Sequence, residues 1–202
     1  STPGTFDKVN LATYVCGSEG TLATIVEAEL ALVDAPSATG LAIVGFDSVD
    51  AALAALATML STRPAAVELV DDTIVQLARG NAEYANYVSI MPQPRSGSPL
   101  GAVMYVEYFG FRRSGEPAGR EIEEITEKFE ELKAKLPDAP IATYLDPVAM
   151  KKAWTLRRAC EPLLHAIPGM RKPIGFVEDT AVDPTKLPSF IRSFKEILAR
   201  HG

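Results

Sequence analysis

The stretch Leu41-Ala42-Ile43-Val44-Gly45-Phe46, followed at once by Asp47-Ser48, decides how the chain is read. A short unbroken apolar run reads as a buried strand, whereas a half-exposed strand would alternate. Asp47 or Ser48 can then cap a helix through a side-chain oxygen, and Leu53, Leu56 and Leu60 recur at helical spacing behind it. The pattern repeats directly. Ala65 to Val70 is a second strand, and Asp71 and Asp72 open a helix with Ile74, Val75 and Leu77 on its apolar side. No glycine-rich turn follows any strand, as a dinucleotide-binding β-α unit would require.

Further along, Pro92 to Pro99 is a proline and serine loop, and Ala102 to Phe109 a strand carrying Tyr105, Tyr108 and Phe109. Pro117 to Leu136 reads as a helix, with Ile122, Ile125, Phe129, Leu132 and Leu136 in one stripe, an acidic start and a basic end. Ala139 to Leu145 is a strand, Pro147 to Ile167 a long helix, Pro173 to Val177 a short extended stretch, and Pro184 to Arg200 a final helix. Such alternation is compatible with a parallel doubly wound sheet or with a split β-α-β unit. Because the strands are few and of mixed polarity, the reading adopted is α+β: an antiparallel sheet of ferredoxin-like type with helices packed on one face.

Upstream, Thr24 to Val33 alternates, with Val26, Ala28, Leu30 and Leu32 on one side and Glu27 and Glu29 on the other, the period of a half-buried strand. Asp34 to Gly40 is a breaker and marks a domain boundary. The short polar start, Ser1 to Phe6, and the helix that stops before His201-Gly202 read as the ends of an excised piece.

Composition narrows the function classes. The 202 residues are 47% hydrophobic and 23% charged, which is a globular composition and not a disordered one. A formal net charge of −6, from 20 Lys and Arg against 26 Asp and Glu, disfavours nucleic acid and anionic lipid as partners. No segment has the length of an apolar membrane span, so a soluble protein is expected. Two distant cysteines, Cys16 and Cys160, make no disulfide framework and suggest the cytoplasm. His165 and His201 leave little material for a metal site or a catalytic base.

Among possible sites, Gly17-Ser18-Glu19-Gly20-Thr21-Leu22 is the most unusual hexapeptide. Its two glycines let backbone N–H groups approach an acceptor closely, and Ser18 and Thr21 add hydroxyls. It matches neither a Walker loop nor GxGxxG, so it is either a ligand loop or an ordinary turn. Arg157 and Glu161 stand at i and i+4, so Arg157 either forms a solvated ion pair there or turns inward to hold a carboxylate in a two-donor fork. Cys160 reads as a small buried hydrophobe, and Glu178 and Asp179 face opposite ways if extended. Arg171 and Lys172 beside Pro173 form either an anion-binding corner or a basic turn.

The run Cys16-Gly17-Ser18-Glu19-Gly20-Thr21-Leu22-Ala23-Thr24-Ile25-Val26-Glu27-Ala28 closely resembles the GSEGTLGIITEA-type segment that closes the flavin domain of FAD-linked oxidases, the vanillyl-alcohol oxidase and p-cresol methylhydroxylase superfamily. Ala66-Val67-Glu68-Leu69-Val70-Asp71 is similar to the A-x-E-x-x-D step of its D-lactate, glycolate and D-2-hydroxyglutarate dehydrogenase branch. Lys152-Ala153-Trp154-Thr155-Leu156-Arg157-Arg158 resembles that branch's W-x-L-R helix, and Val177-Glu178-Asp179-Thr180-Ala181-Val182-Asp183-Pro184 a segment of large bacterial members fused to an iron-sulfur region.

The resemblance implies that residues 1–35 are the tail of an FAD-binding domain and residues 40–202 a substrate or cap domain. It implies that Gly17, Ser18, Glu19, Gly20 and Thr21 line part of the FAD pocket, mainly by backbone contact, and that Arg157 binds the carboxylate of a small 2-hydroxy acid. Related D-2-hydroxyglutarate enzymes have a Thr where this chain has Glu161, and a carboxylate-binding Lys where it has Val177; Lys172 lies nearby, out of register. The family's pyrophosphate loop would lie upstream, and its histidine motif, with metal ligands and the catalytic base, beyond Gly202. No catalytic or metal-ligating residue is therefore assigned in this chain, and the isolated piece is expected to be inactive. The remainder of the flavoenzyme, with an iron-sulfur domain or subunit, would be its partner. The competing reading is a non-catalytic ferredoxin-like module that binds a ligand or a protein.

Overall fold

In the computed structural model, which describes residues 10–94, 97, 99–170, 172–174, 177 and 180–201, the opening apolar run becomes the strand β1 (Ala38–Phe46). A four-stranded sheet forms around it with β2 (Ala66–Asp71), β3 (Ala102–Gly110) and β4 (Ile141–Tyr144), in the order β2-β3-β1-β4. Every neighbouring pair is antiparallel; Ile43 stands opposite Tyr105 and Ala142, and Tyr105 opposite Glu68. β1 and β2 are thus parallel with β3 between them, and β3 and β4 are parallel with β1 between them. These are two interleaved β-α-β units, the ferredoxin-like arrangement.

The two crossovers are helical. The first uses α2 (Val49–Ala54), capped by the Ser48 hydroxyl at 3.1 Å from Ala51 N, and α3 (Leu56–Leu60). The second uses α5 (Arg120–Lys135), which begins after Gly119 in a left-handed conformation (φ 95°) and so starts later than the expected Pro117. Glu121 and Glu123 in its first turn and Lys133 and Lys135 in its last complement the helix dipole. Ile125, Phe129 and Leu132 bury against Ala42, Val44, Met104, Val106 and Tyr108 on one sheet face. The approach is close, because a Cβ at Gly40 would run into Ile125 and Phe129.

The antiparallel α+β reading holds, but helices on one face only is corrected. The other face, with Leu41, Ile43, Val70, Val103 and Tyr105, is also covered. Its cover comes from α4 (Asp72–Arg79) and a 3₁₀ helix (Ala85–Ile90), both in the β2–β3 connection, and from α6 (Pro147–Arg158) and α7 (Cys160–His165), which follow β4. The unbroken apolar runs in β1 and β3 explain this, since they put large side chains on both sides of the sheet and both must leave water.

Three further expectations change. Pro147 to Ile167 is two helices that meet at Ala159, because the ring of Pro162 in the first turn of α7 clashes with the carbonyl four residues earlier and has no N–H to offer. Thr24 to Val33 forms no strand. Its alternation makes a two-sided segment, but a ladder needs a second strand and the described residues supply none; Val26 and Leu32 are 94% and 90% exposed. Of the extended stretch expected at Pro173 to Val177, Pro173, Ile174 and Val177 lie in no strand and Gly175 and Phe176 lie outside the described residues, as do Arg171, Glu178 and Asp179. The final helix, α8 (Leu187–His201), follows a turn in which Asp183 accepts from Thr185 N at 2.8 Å. Ser1–Asp34 and Ala35–Gly202 are separate compact units; the first contains α1 (Leu11–Val15), capped by Asn10.

Candidate carboxylate-binding site on the second sheet face

Helix α6 carries the central residue of the site. Asp146 caps it, accepting from Val148 N at 3.3 Å and Ala149 N at 3.0 Å, and Pro147 occupies the first turn, where its missing N–H does no harm. Met150, Ala153 and Leu156 are buried against the sheet. Arg157 continues the 150, 153, 157 stripe, so its stem leaves the helix on the core side while Arg158 is exposed.

The guanidinium meets β2. Arg157 Nε donates to Glu68 Oε2 at 3.0 Å, and Nη2 stands 2.9 Å from the same oxygen. Glu68 is on this face because it pairs across the ladder with Tyr105. Burial works against the Arg157 charge, but the hydrogen bond and charge of Glu68, with a smaller contribution from Cys160, outweigh it and raise the pKa. The two side chains are 38% and 40% exposed, so the pair contributes only about 0–1 kcal/mol to stability.

Around this pair the face is unusually polar for a core. Tyr105 packs edge-on against Trp154, ring centres 5.7 Å apart, and its buried hydroxyl has no hydrogen-bond partner among the described residues. Burial pushes its pKa well above the ordinary tyrosine value. Trp154 hydrogen-bonds Glu107, whose pKa burial nevertheless raises. Burial also raises the Cys160 thiol, against the pull of the adjacent Arg157. Tyr144 donates to the Ile90 carbonyl at 2.7 Å, tying β4 to the 3₁₀ helix.

The ion pair between Arg157 and Glu161 is corrected. The break at Ala159 removes the continuous helix on which i and i+4 would align, and Glu161 instead lies 3.8 Å from His165. Lys172 does not join Arg157: its ammonium donates to the Ile167 carbonyl at 2.6 Å, five residues back in its own segment. Gly17, Ser18, Glu19, Gly20 and Thr21 form consecutive tight turns after α1, with φ of 77°, 50° and 75° at Gly17, Glu19 and Gly20. Ser18 N donates to Val15 O, while Thr21 N and Oγ1 both donate to Ser18 O, at 2.9 and 2.6 Å. The Thr21 hydroxyl proton is therefore engaged inside the turn, but the space beside both glycine α-carbons is open. That openness fits close approach of a ligand to the backbone, as FAD would require.

Sequence reasoning missed Glu68 and Glu107 as neighbours of the site. A signal was present, since Glu107 is the lone charge of β3 and Glu68 the one charge of β2 before its terminal Asp71, and a half-buried charge needs a partner. Among the described residues, no group of three or more His, Cys, Asp or Glu could hold a metal, and no helix is long and apolar enough to cross a membrane.

Comparison with known proteins places this geometry. Residues 35–202 match the family model described as FAD linked oxidases, C-terminal domain. The chain is 30% identical over 203 residues to D-2-hydroxyglutarate dehydrogenase of Pantoea ananatis, covering 98% of this chain and 19% of that protein. It is 31% identical to the Escherichia coli protein of the same name and 29% to that of Haemophilus influenzae, each covering 96% of this chain and 19% of the relative. The chain thus spans about a fifth of the length of these curated relatives. With the family match running through the whole sheet and its covering helices, residues 35–202, the chain belongs to the FAD-linked oxidases, those residues to their C-terminal domain.

Proposed function

We propose that this chain is the substrate-side part of an FAD-dependent dehydrogenase that oxidises a D-2-hydroxy acid of lactate, glycolate or 2-hydroxyglutarate type. Residues 1–35 are read as the end of its flavin domain and residues 40–202 as the substrate or cap domain. The observation that carries the proposal is Arg157, a cation brought to the sheet face by the buried stripe of α6 and left more than a third exposed. Its planar fork matches a carboxylate, and holding that group fixes the distance of the neighbouring C2 from its reaction partner. FAD, when bound, supplies the hydride acceptor for that carbon. Within Gly17 to Thr21, Gly17, Glu19 and Gly20 stand at positive φ and the space beside the two glycines is open, which suits contact of the backbone with the cofactor. Lys172 is kept as a secondary candidate for the substrate, although its ammonium is engaged by Ile167. The cytoplasm is the proposed compartment, and an iron-sulfur domain or subunit the proposed electron partner.

The test is Arg157→Lys in the flavoenzyme that contains this chain. Lysine keeps the charge and loses the fork, so kcat/KM for D-lactate or D-2-hydroxyglutarate should fall about tenfold or more, the equivalent of one charge-assisted hydrogen bond, with flavin content unchanged. Arg158→Lys, on the exposed side of the helix, should leave both unchanged. Equal losses from the two variants would refute the role of Arg157.

A further inference from the structure

The contact between Arg157 and Glu68 uses one particular edge of the guanidinium. Nε and Nη2 lie on the side away from the arginine stem, and a single carboxylate oxygen, Oε2, takes both. Nη1 and the outward hydrogen of Nη2 form a second two-donor edge at the tip of the side chain. No second carboxylate pairs with Arg157 among the described residues. The anchor is well fixed: Glu68 stands in the β2–β3 ladder opposite Tyr105, 89 residues from Arg157 in sequence and on a different element. With both side chains more than a third exposed, the pair adds little to stability, so its consequence is mainly one of orientation.

We propose that Glu68 is a positioning residue: by occupying the Nε–Nη2 edge of Arg157 it sets the plane of the guanidinium and presents the Nη1–Nη2 edge to the carboxylate of the 2-hydroxy acid. This inference rests on the reading of Arg157 as the carboxylate-binding residue. A guanidinium on a free arginine stem samples many planes, and only a fraction of them aim two parallel N–H bonds at one ligand. Fixing the side edge on a strand residue selects that fraction before substrate arrives. Cys160, which touches Arg157, does not substitute for this, because a thiol is a weak acceptor and accepts no parallel pair of bonds.

The experiment is a double-mutant cycle in the FAD-loaded holoenzyme, with D-lactate and D-2-hydroxyglutarate as substrates. Glu68→Ala should lower kcat/KM by about five- to tenfold, whereas Glu68→Gln, which keeps an acceptor for Nε–H, should restore it to within about twofold of the parent. In the Arg157→Lys background, which has no edge to orient, Glu68→Ala should cost less than about twofold further. If Glu68→Ala leaves kcat/KM unchanged while Arg157→Lys lowers it, the positioning role of Glu68 is wrong and the reading of Arg157 survives. If Glu68→Ala costs as much in the Arg157→Lys background as alone, Glu68 acts through the fold and the inference is again overturned. If Arg157→Lys itself has no effect, the carboxylate site is elsewhere and both readings fall. Unfolding midpoints of the variants accompany the kinetics, and Glu68→Leu, which keeps the bulk of the side chain but removes both acceptor oxygens and should lower kcat/KM like Glu68→Ala, carries the test should Glu68→Ala not fold.

Discussion

The two faces of the sheet bury comparable apolar side chains but treat their buried tyrosine hydroxyls in opposite ways. On the face covered by α2, α3 and α5, the Tyr108 hydroxyl lies 2.6 Å from Thr62 Oγ1, and that hydroxyl donates to the Met59 carbonyl. Thr62 has only one proton, so Tyr108 is the donor in their pair and the chain of hydrogen bonds is closed. On the face covered by α4, the 3₁₀ helix, α6 and α7, the Tyr105 hydroxyl is buried without a partner, and Glu68, Glu107 and Arg157 reach its margin. A face that only had to fold would not retain such groups, because apolar residues of the same shape would pack there at least as stably. Both faces hold the fold together through their apolar side chains; the Glu68, Glu107 and Arg157 charges at the margin of the second add little to that.

The largest expected effect lies on the first face. Phe129 is 3% exposed, packs edge-on against Tyr108 at 5.8 Å, and sits in the middle of the α5 stripe. Phe129→Ala should cost about 3–5 kcal/mol in denaturant unfolding of the chain, through lost transfer free energy and the cavity left behind. A loss under about 1 kcal/mol would mean that α5 is not docked on this face, and the comparison would break at its firmer end.

How much of this was legible in the sequence follows from the range of each interaction. β1, β2, β3 and α5 were readable, since an unbroken apolar run and a 3.6-residue stripe are local signals. The division of Pro147 to Ile167 was also local, written in Pro162, but the apolar pattern on either side masks it. Thr24 to Val33 shows the limit of periodicity: alternation defines two sides without supplying the partner that makes a strand. Cover on both sheet faces could have been read from Leu41 to Val44, where no residue is polar enough to face water. The partner of Arg157 could not be read, because choosing Glu68 over Glu161 requires the break at Ala159 and the register that sets Glu68 opposite Tyr105.

A smaller effect sharpens the contrast between the two tyrosines. Tyr108→Phe removes the donor to Thr62 and leaves a buried hydroxyl oxygen with one bond fewer, although Thr62 can still donate to Met59. The expected loss is about 1–2 kcal/mol, with the fold unchanged. Thr62→Val in the Tyr108→Phe background should recover part of it, because the remaining polar group is then removed as well.

The smallest effect at neutral pH is expected from Tyr105→Phe, and its sign decides what the second face is. The Tyr105 hydroxyl makes no hydrogen bond among the described residues, so deleting it removes a desolvated polar atom and no interaction. Stability at pH 7 should stay within about 0.5 kcal/mol of the parent or rise. The difference should appear in alkali. Burial raises the Tyr105 pKa above the unfolded value of about 10, so the folded state keeps a proton that the unfolded state has released. Linkage then makes the contribution of Tyr105 complete below pH ~10, with stability falling as pH rises from there toward the folded pKa. Tyr105→Phe should flatten that fall without abolishing it, since burial also raises Tyr108 and Tyr144. Unfolding midpoints measured between about pH 7 and pH 11 test both halves together. A loss of more than about 1 kcal/mol at pH 7 would show that the hydroxyl has a partner, such as a buried water, and the two tyrosines would then be alike in satisfying their hydroxyls.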